Sequence, residues 1–145
     1  MNTNIYEKIS EWLGNCPQMG SYIYFNVIPL DENTSSVNPT SSSMQIKKFI
    51  NGSQEVRLVF NIDLIQAYDD GGTSSLNLDA MQAFTDIVNY IEEKNNLHEF
   101  PDLGEKYTVN EMGATYTVPV VYLTPDNPGI ARYSGQFYIN YLERK

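Results

Sequence analysis

The chain has 145 residues, enough for one domain with an ordinary hydrophobic core. Its net charge of −9, from nine basic and eighteen acidic side chains, argues against a surface that binds the nucleic-acid backbone. Cys16 is the only cysteine, which excludes a disulfide framework and a thiolate metal site. Because we find neither a signal-peptide pattern nor an apolar run of membrane-spanning length, we expect a soluble, cytosolic protein without a membrane partner.

The first predicted element is a helix over about residues 3–14, capped by Asn2 or Thr3 and ended by Gly14. Its apolar positions recur at helical spacing: Ile5, Ile9, Trp12 and Leu13. A turn follows, and residues 22–30 are rich in β-branched and aromatic side chains, which predicts a strand.

Residues 31–43 are polar and predict a long, flexible loop. Loops of this length inside a domain are usually functional or disordered. A plain flexible loop and a loop that orders on meeting a partner are both open interpretations. On the second interpretation its candidate assembly residues are Asp31, Glu32, Asn33, Asn38 and Pro39, and deleting part of the loop would leave the chain folded but block its association with the partner.

A hairpin is predicted next, with strands over residues 44–50 and 54–68 joined by an Asn-Gly turn at residues 51–53. Alternation divides the second strand into two faces. One face is fully apolar: Val56, Leu58, Phe60, Ile62 and Leu64. The other face is mixed: Arg57, Val59, Asn61, Asp63 and Ile65. The apolar face is therefore expected to lie on the core.

The strongest helical pattern covers residues 77–96, with Asn77 as the expected N-cap and Pro101 as the residue that stops the helix. Its apolar stripe consists of Leu78, Met81, Phe84, Ile87, Val88 and Ile91. Three strands are then predicted, over residues 106–112, 115–123 and 132–142. Pro119 places the middle one at a sheet edge or a bulge.

The predicted order is therefore α-β-β-β-α-β-β-β in a single domain over residues 1–145. Hairpins dominate this order, which predicts an α+β fold: a mainly antiparallel sheet with two helices packed on one face. Tyrosine is abundant, with eleven in the chain. It either fills strands or meets partners.

His98 is the only histidine, and it lies in the stretch LHEFPDLGEK. The form H-x-x-x-D-x-G departs by one inserted residue from the H-x-x-x-D-G motif of acyltransferases of the chloramphenicol acetyltransferase type. We interpret Phe100, Pro101, Asp102 and Gly104 as a structural corner after the helix. An acyltransferase that uses His98 is kept as an alternative of another class.

No cofactor or metal is predicted, and no catalytic residue. Asp69 and Asp70 precede two glycines but lack the alternating acids of a calcium loop, so they are expected to form a solvated turn. Glu92 and Glu93 are adjacent on a helix and point in different directions. We therefore expect no enzyme activity.

Four stretches carry a family resemblance: WLGNCPQM, KKFINGSQEVRLVFNIDLIQAY, YIEEKNNLHEFPDLGE and ARYSGQFYINYLERK. The sequence resembles the small minor capsid proteins of tailed bacteriophages and prophages of Gram-positive bacteria. These proteins are similar in size and predicted topology to siphophage tail terminators. The resemblance spans most of the chain and contains no catalytic motif.

The resemblance implies a virion protein that assembles in the cytoplasm of the bacterial host. It implies a ring of identical chains, often a hexamer in such proteins, with two further partners: the tail tube protein and the head connector protein. DNA would pass through the lumen without specific binding, which agrees with the acidic charge. Other head–tail connector or head completion proteins, and a monomeric ligand-binding domain with a cleft of tyrosines, remain alternatives. The candidate cleft residues are Tyr22, Tyr24, Tyr133 and Tyr141.

Overall fold

The chain folds around two long antiparallel strands. A computed structural model describes residues 5–20, 22–27, 32–40, 44–69, 75–116, 118–123 and 129–145. Its elements in chain order are α1 (Ile5–Leu13), a 3₁₀ helix (Pro17–Met19), β1 (Ile23–Phe25), β2 (Thr34–Pro39), β3 (Met44–Lys48), β4 (Gln54–Ala67), α2 (Ser75–Asn96), β5 (Tyr107–Ala114), β6 (Val120–Leu123) and β7 (Ile130–Glu143).

Strands β4 and β7 pair over their full length, from Gln54 opposite Glu143 to Ala67 opposite Ile130. The free side of β4 is shared by β3 at its beginning and β2 at its end. The free side of β7 is shared by β6 at its beginning and β5 at its end. Only β1, which lies beside β2, runs parallel to its neighbour. The predicted α+β class, with a mainly antiparallel sheet, is confirmed.

The helices cover the apolar face of this sheet. Phe84 of α2 packs on Phe137 of β7, with ring centroids 5.9 Å apart, and Phe137 stacks on Phe60 of β4. Gly135 lies directly under the Phe84 ring, because a Cβ atom there would be 2.1 Å from Cζ. Ile9 and Leu13 of α1 are buried in the same core. The predicted alternation of β4 is therefore confirmed.

The opposite face, which we call the outer face, is mixed: it carries polar side chains together with Val59 and Ile65, which are buried. Asp63 is 2% exposed and accepts a short hydrogen bond from Asn38 Nδ2. The Asn38 side chain also accepts from Ser36 Oγ, at 3.2 Å. Arg57 donates to Asn140 Oδ1 at 3.0 Å, and its guanidinium lies over the Tyr138 ring. These polar side chains thus find hydrogen-bond partners on neighbouring strands of the same face.

The prediction of a loop over residues 31–43 is wrong for Thr34–Pro39, which form strand β2. The four residues from Thr34 to Val37 are buried. Ser35 Oγ donates to the Met19 carbonyl at 2.6 Å. Polar side chains can be buried in this way because each finds a hydrogen-bond partner. The sequence therefore predicted six strands and did not predict β2. Deleting β2 would remove part of the core rather than a flexible loop.

Several predicted boundaries also change. The strand expected over residues 115–123 covers only Val120–Leu123 among the described residues, and residues 28–30 of the first predicted strand lie outside them. The strand expected over residues 22–30 covers only Ile23–Phe25, because Asn26 has φ 57° and turns the chain. Helix α2 includes Ser75, so Asn77 is not its N-cap. Asn77 instead binds the main chain of Asp69, accepting from its N–H at 2.9 Å and donating to its carbonyl at 2.8 Å. This pair of bonds ties the helix to the end of β4.

Candidate assembly surfaces

Strand β6 carries the first candidate surface. All four of its residues are exposed, by 40% at Val121 and 60% at Leu123. Tyr116 and Val118 extend the same apolar surface before the strand begins, with 62% and 64% exposure. We call Tyr116, Val118 and residues 120–123 the β6 surface. Among the described strands β6 pairs only with β7, so the edge position predicted from Pro119 is confirmed.

A cleft of about 170 Å³ lies between the β6 surface and the outer face. Its polar lining comes from Asn61, Ser134 and Gln136, and its apolar lining comes mainly from the β6 surface. Asp63 is opposite Ser134 in the strand register, and its Oδ1 is buried without a hydrogen-bond partner among the described residues. The cleft combines amide groups with aromatic walls, a lining that suits an extended peptide segment.

Strand β3 carries the second candidate surface. Every residue of the strand is exposed, and the exposure continues through Phe49 and Ile50. Apolar Met44 and Ile46 alternate with polar positions that include Lys47 and Lys48. We call residues 44–50 the β3 surface. The Lys47 ammonium lies 5.1 Å from the centroid of the Phe49 ring.

The two surfaces lie on opposite sides of the β4–β7 pair. Strand β3 lies beside Gln54–Arg57 at the start of β4, and β6 lies beside Ala131–Ser134 at the start of β7. Since β4 and β7 are antiparallel, the surfaces are at diagonal corners of the sheet. Exposed apolar strands at sheet edges are typical sites of strand addition and association.

The residues of the predicted assembly loop do not form these surfaces. Asn38 and Pro39 are in β2, and Glu32 and Asn33 form the turn before it, with Asn33 at φ 61°. Asp31 lies outside the described residues. Sequence alternation placed apolar strand residues in the core, which is why the β3 and β6 surfaces were missed. The lysine pair and Pro119 were the only signals of exposed edges.

The corner after α2 is built as a Schellman cap. His98 has φ 56°, its N–H donates to the Asn95 carbonyl at 3.2 Å, and the Glu99 N–H donates to the Lys94 carbonyl at 2.9 Å. His98 therefore ends the helix in the position that glycine usually occupies, before Pro101 is reached.

The rest of the corner follows this cap directly. Asp102 Oδ1 accepts from the Gly104 N–H at 3.0 Å, and Gly104 has φ 122°. The rings of His98 and Phe100 make a T-shaped contact, with their centroids 5.6 Å apart. Pro101 and Leu103 are buried. These contacts give each predicted corner residue a conformational role.

We expect His98→Gly to raise the free energy of unfolding by about 0.5–1 kcal/mol, because glycine adopts positive φ without strain. Chemical denaturation followed by circular dichroism measures the change. Glu93→Gly is the matched control and should be destabilising, because Glu93 is exposed and lies inside the helix, before its last turn ends at Asn96. A destabilised His98→Gly variant would contradict this assignment of the cap.

The remaining chemistry-bearing residues are dispersed. Cys16 is buried, and burial raises the pKa of its thiol, which disfavours the reactive thiolate. Tyr133 and Tyr141 are in the core, and burial raises the pKa of Tyr141 to about 12. They therefore do not join Tyr22 and Tyr24, whose rings are 4.6 Å apart, in a single cleft. Among the described residues no three His, Cys, Asp or Glu side chains form a group that could hold a metal ion.

Neither described helix is long and apolar enough to span a membrane. No protein-family model matches the sequence, and no curated protein is significantly similar to it.

Proposed function

We propose that this chain is a structural virion protein that forms a ring of its own copies, caps a tail tube and joins it to the head connector. The family resemblance of the sequence supplies this role. The observation that supports it best is the pair of exposed apolar edge strands, β3 and β6, at diagonal corners of one sheet.

Two different surfaces on one molecule suit such a role. When one surface of a subunit contacts a different surface of the next subunit, the interface is heterologous. Repeated contacts of this kind close into a ring if the rotation from one subunit to the next divides a full turn. Exposed apolar area of this kind is normally covered in the assembled state of a protein. Both surfaces consist largely of strand residues, whose main-chain edges can add a further strand.

The charge of the chain supports the same role. A net charge of −9 at pH 7 opposes adhesion to the DNA backbone, because like charges repel. Among the described residues the only ion pair joins Lys94 to Glu99. With eighteen acidic and nine basic side chains in the chain, at least half of the acidic ones have no basic side chain of their own to pair with. A ring with an acidic lumen would let DNA pass without retaining it.

We expect Val121→Asp, in the middle of the β6 surface, to weaken assembly by about tenfold or more, because it would bury an unpaired charge in an interface. Light scattering after size exclusion, over a concentration series and with the tail tube protein, measures this. Leu78→Asp is the matched control, since Leu78 is 72% exposed on α2 and belongs to neither surface. Assembly and tube binding that are equal in both variants would contradict the role of β6.

A monomer at every concentration that also leaves tube growth unchanged would contradict the proposed function as a whole. A ring-sized species, or a monomer that stops tube growth when added, would support it. The growth assay also separates a tail terminator from a head completion protein, because only a terminator caps the tube.

A further inference from the structure

A cleft of about 310 Å³ lies between α1 and the edge strand β1. Its helical wall carries Glu7, Ser10 and Glu11, and its strand wall carries Ile23 and Phe25. Glu7 and Glu11 are four positions apart and therefore lie on the same face of α1. We call these five residues the α1–β1 cleft.

The chemistry of the cleft suits a cationic side chain on an apolar stem. Phe25 is 42% exposed, so an aromatic ring is available beside two carboxylates. The Ser10 hydroxyl is buried and has no hydrogen-bond partner among the described residues. A lysine bound here would place its methylene groups on Ile23 and Phe25 and its ammonium group at the two exposed glutamates.

The β3 surface carries cationic side chains with apolar neighbours, as the cleft requires. Lys47 and Lys48 stand between Ile46 and Phe49, and all four residues are exposed. Neither lysine forms an ion pair with any described residue. Lys47 already contacts the Phe49 ring, and no such contact holds Lys48. An adjacent lysine pair with apolar neighbours therefore complements an acidic cleft with apolar walls.

The contact cannot form within one chain. Lys48 lies opposite Gln54, whereas β1 is joined through β2 to the part of β4 around Asp63. Nine strand positions separate these points, roughly 30 Å at the usual rise of a strand. A β3 lysine in the cleft must therefore come from another molecule, and a second copy of this chain carries it.

We infer that the β3 surface of one copy docks into the α1–β1 cleft of the next, with the Lys48 ammonium between Glu7 and Glu11. The inference rests on the proposed function and names the contact between neighbouring subunits. Each copy uses both surfaces once, so the interface is heterologous. It also leaves the β6 surface, on the other side of the sheet, free for the tail tube protein.

A charge exchange tests this contact. We expect Glu11→Lys and Lys48→Glu each to weaken self-association by about tenfold, because each places like charges together. The double variant should recover association to within about threefold of the original protein, since the pair is restored with reversed signs. Sedimentation velocity over a concentration series measures the three variants, and association should weaken as salt is added.

Glu93→Lys and Lys106→Glu are the matched controls, because they make the same changes of charge on exposed residues outside both surfaces. Single variants that associate like the controls, or a double variant weaker than both single variants, would overturn the docking contact and leave the proposed function standing. Failure of the original chain both to associate and to affect tube growth would overturn both.

Discussion

Gly135→Ala is expected to lower the free energy of unfolding by about 3 kcal/mol or more. The added Cβ would lie 2.1 Å from Cζ of Phe84, a distance that non-bonded atoms do not reach, and 3.0 and 3.1 Å from two further atoms of the ring. Phe84 and its neighbour Phe137 are fully buried, so neither ring has space to retreat. Overpacking a core usually costs about 1–3 kcal/mol, and here a helix must move away from the central strand. Urea denaturation measures the loss.

Gly113→Ala is the matched control on the neighbouring strand. Its Cβ would meet the Tyr138 side chain at 3.0 Å, and that ring lies on the outer face, where it can shift. Its cost should therefore be below about 1 kcal/mol. Phe84→Leu in the Gly135→Ala background should recover part of the loss, because it shortens the clashing side chain. Equal effects of the two glycine variants would contradict the packing of α2 on Gly135.

Gly20→Ala is the second substitution with a large expected effect, about 3 kcal/mol. Gly20 has φ 86°, and a Cβ atom there would lie 2.4 Å from the main-chain oxygen of Asn33. The backbone strain costs about 1 kcal/mol, and the clash adds the cost of moving the chain that enters β2. That movement would also stretch the bond from Ser35 to Met19. Thermal unfolding of the Gly20→Ala variant should have a lower midpoint temperature than that of the original protein, with the same signal for the unfolded state.

Gly52→Ala isolates the conformational part of this effect. Gly52 has φ 93°, but a Cβ atom there would meet only the Lys145 side chain, which can move. We therefore expect a cost of about 1 kcal/mol from φ alone. If Gly20→Ala were no more costly than Gly52→Ala, the close approach of residues 20 and 33 would be contradicted.

The parts of the fold that sequence predicts are those with one apolar face. The predicted core face of β4 is buried from Leu58 to Leu64. Most of the predicted stripe of α2 is also buried, but Leu78 is wrongly assigned to it, because it is 72% exposed near the start of the helix. The helices and most of the strands follow from such patterns because burial of apolar area dominates the folding free energy.

Strand β2 shows why the rest could not be predicted. Its residues are Thr, Ser, Ser, Val, Asn and Pro, a composition typical of a loop. It is buried because partners distant in the chain satisfy its side chains: Met19 for Ser35, and Asp63 for Asn38. Sequence periodicity carries no information about hydrogen bonds between residues that are 16 or 25 positions apart.

The candidate surfaces were missed for the converse reason. The pattern in β3 and β6 resembles that of buried strands, but the helices that cover the sheet do not reach these corners. Whether an apolar strand residue is covered depends on the tertiary arrangement of other elements. The corner after α2 was predicted because it depends on local turn chemistry, although His98 rather than Pro101 ends the helix.

The long pairing of β4 with β7 has a consequence for how quickly the protein folds. The bond between Gln54 and Glu143 joins residues 89 positions apart, and β4 makes more of its contacts with β7 than with any other strand. Closing so large a loop is entropically costly and slows folding. During synthesis β4 emerges well before β7, so the edge of β4 that pairs with β7 stays unpaired until residues 130–143 have been made. We expect slow, late formation of this pair, and the slowest amide hydrogen exchange of the folded protein should be found in these two strands.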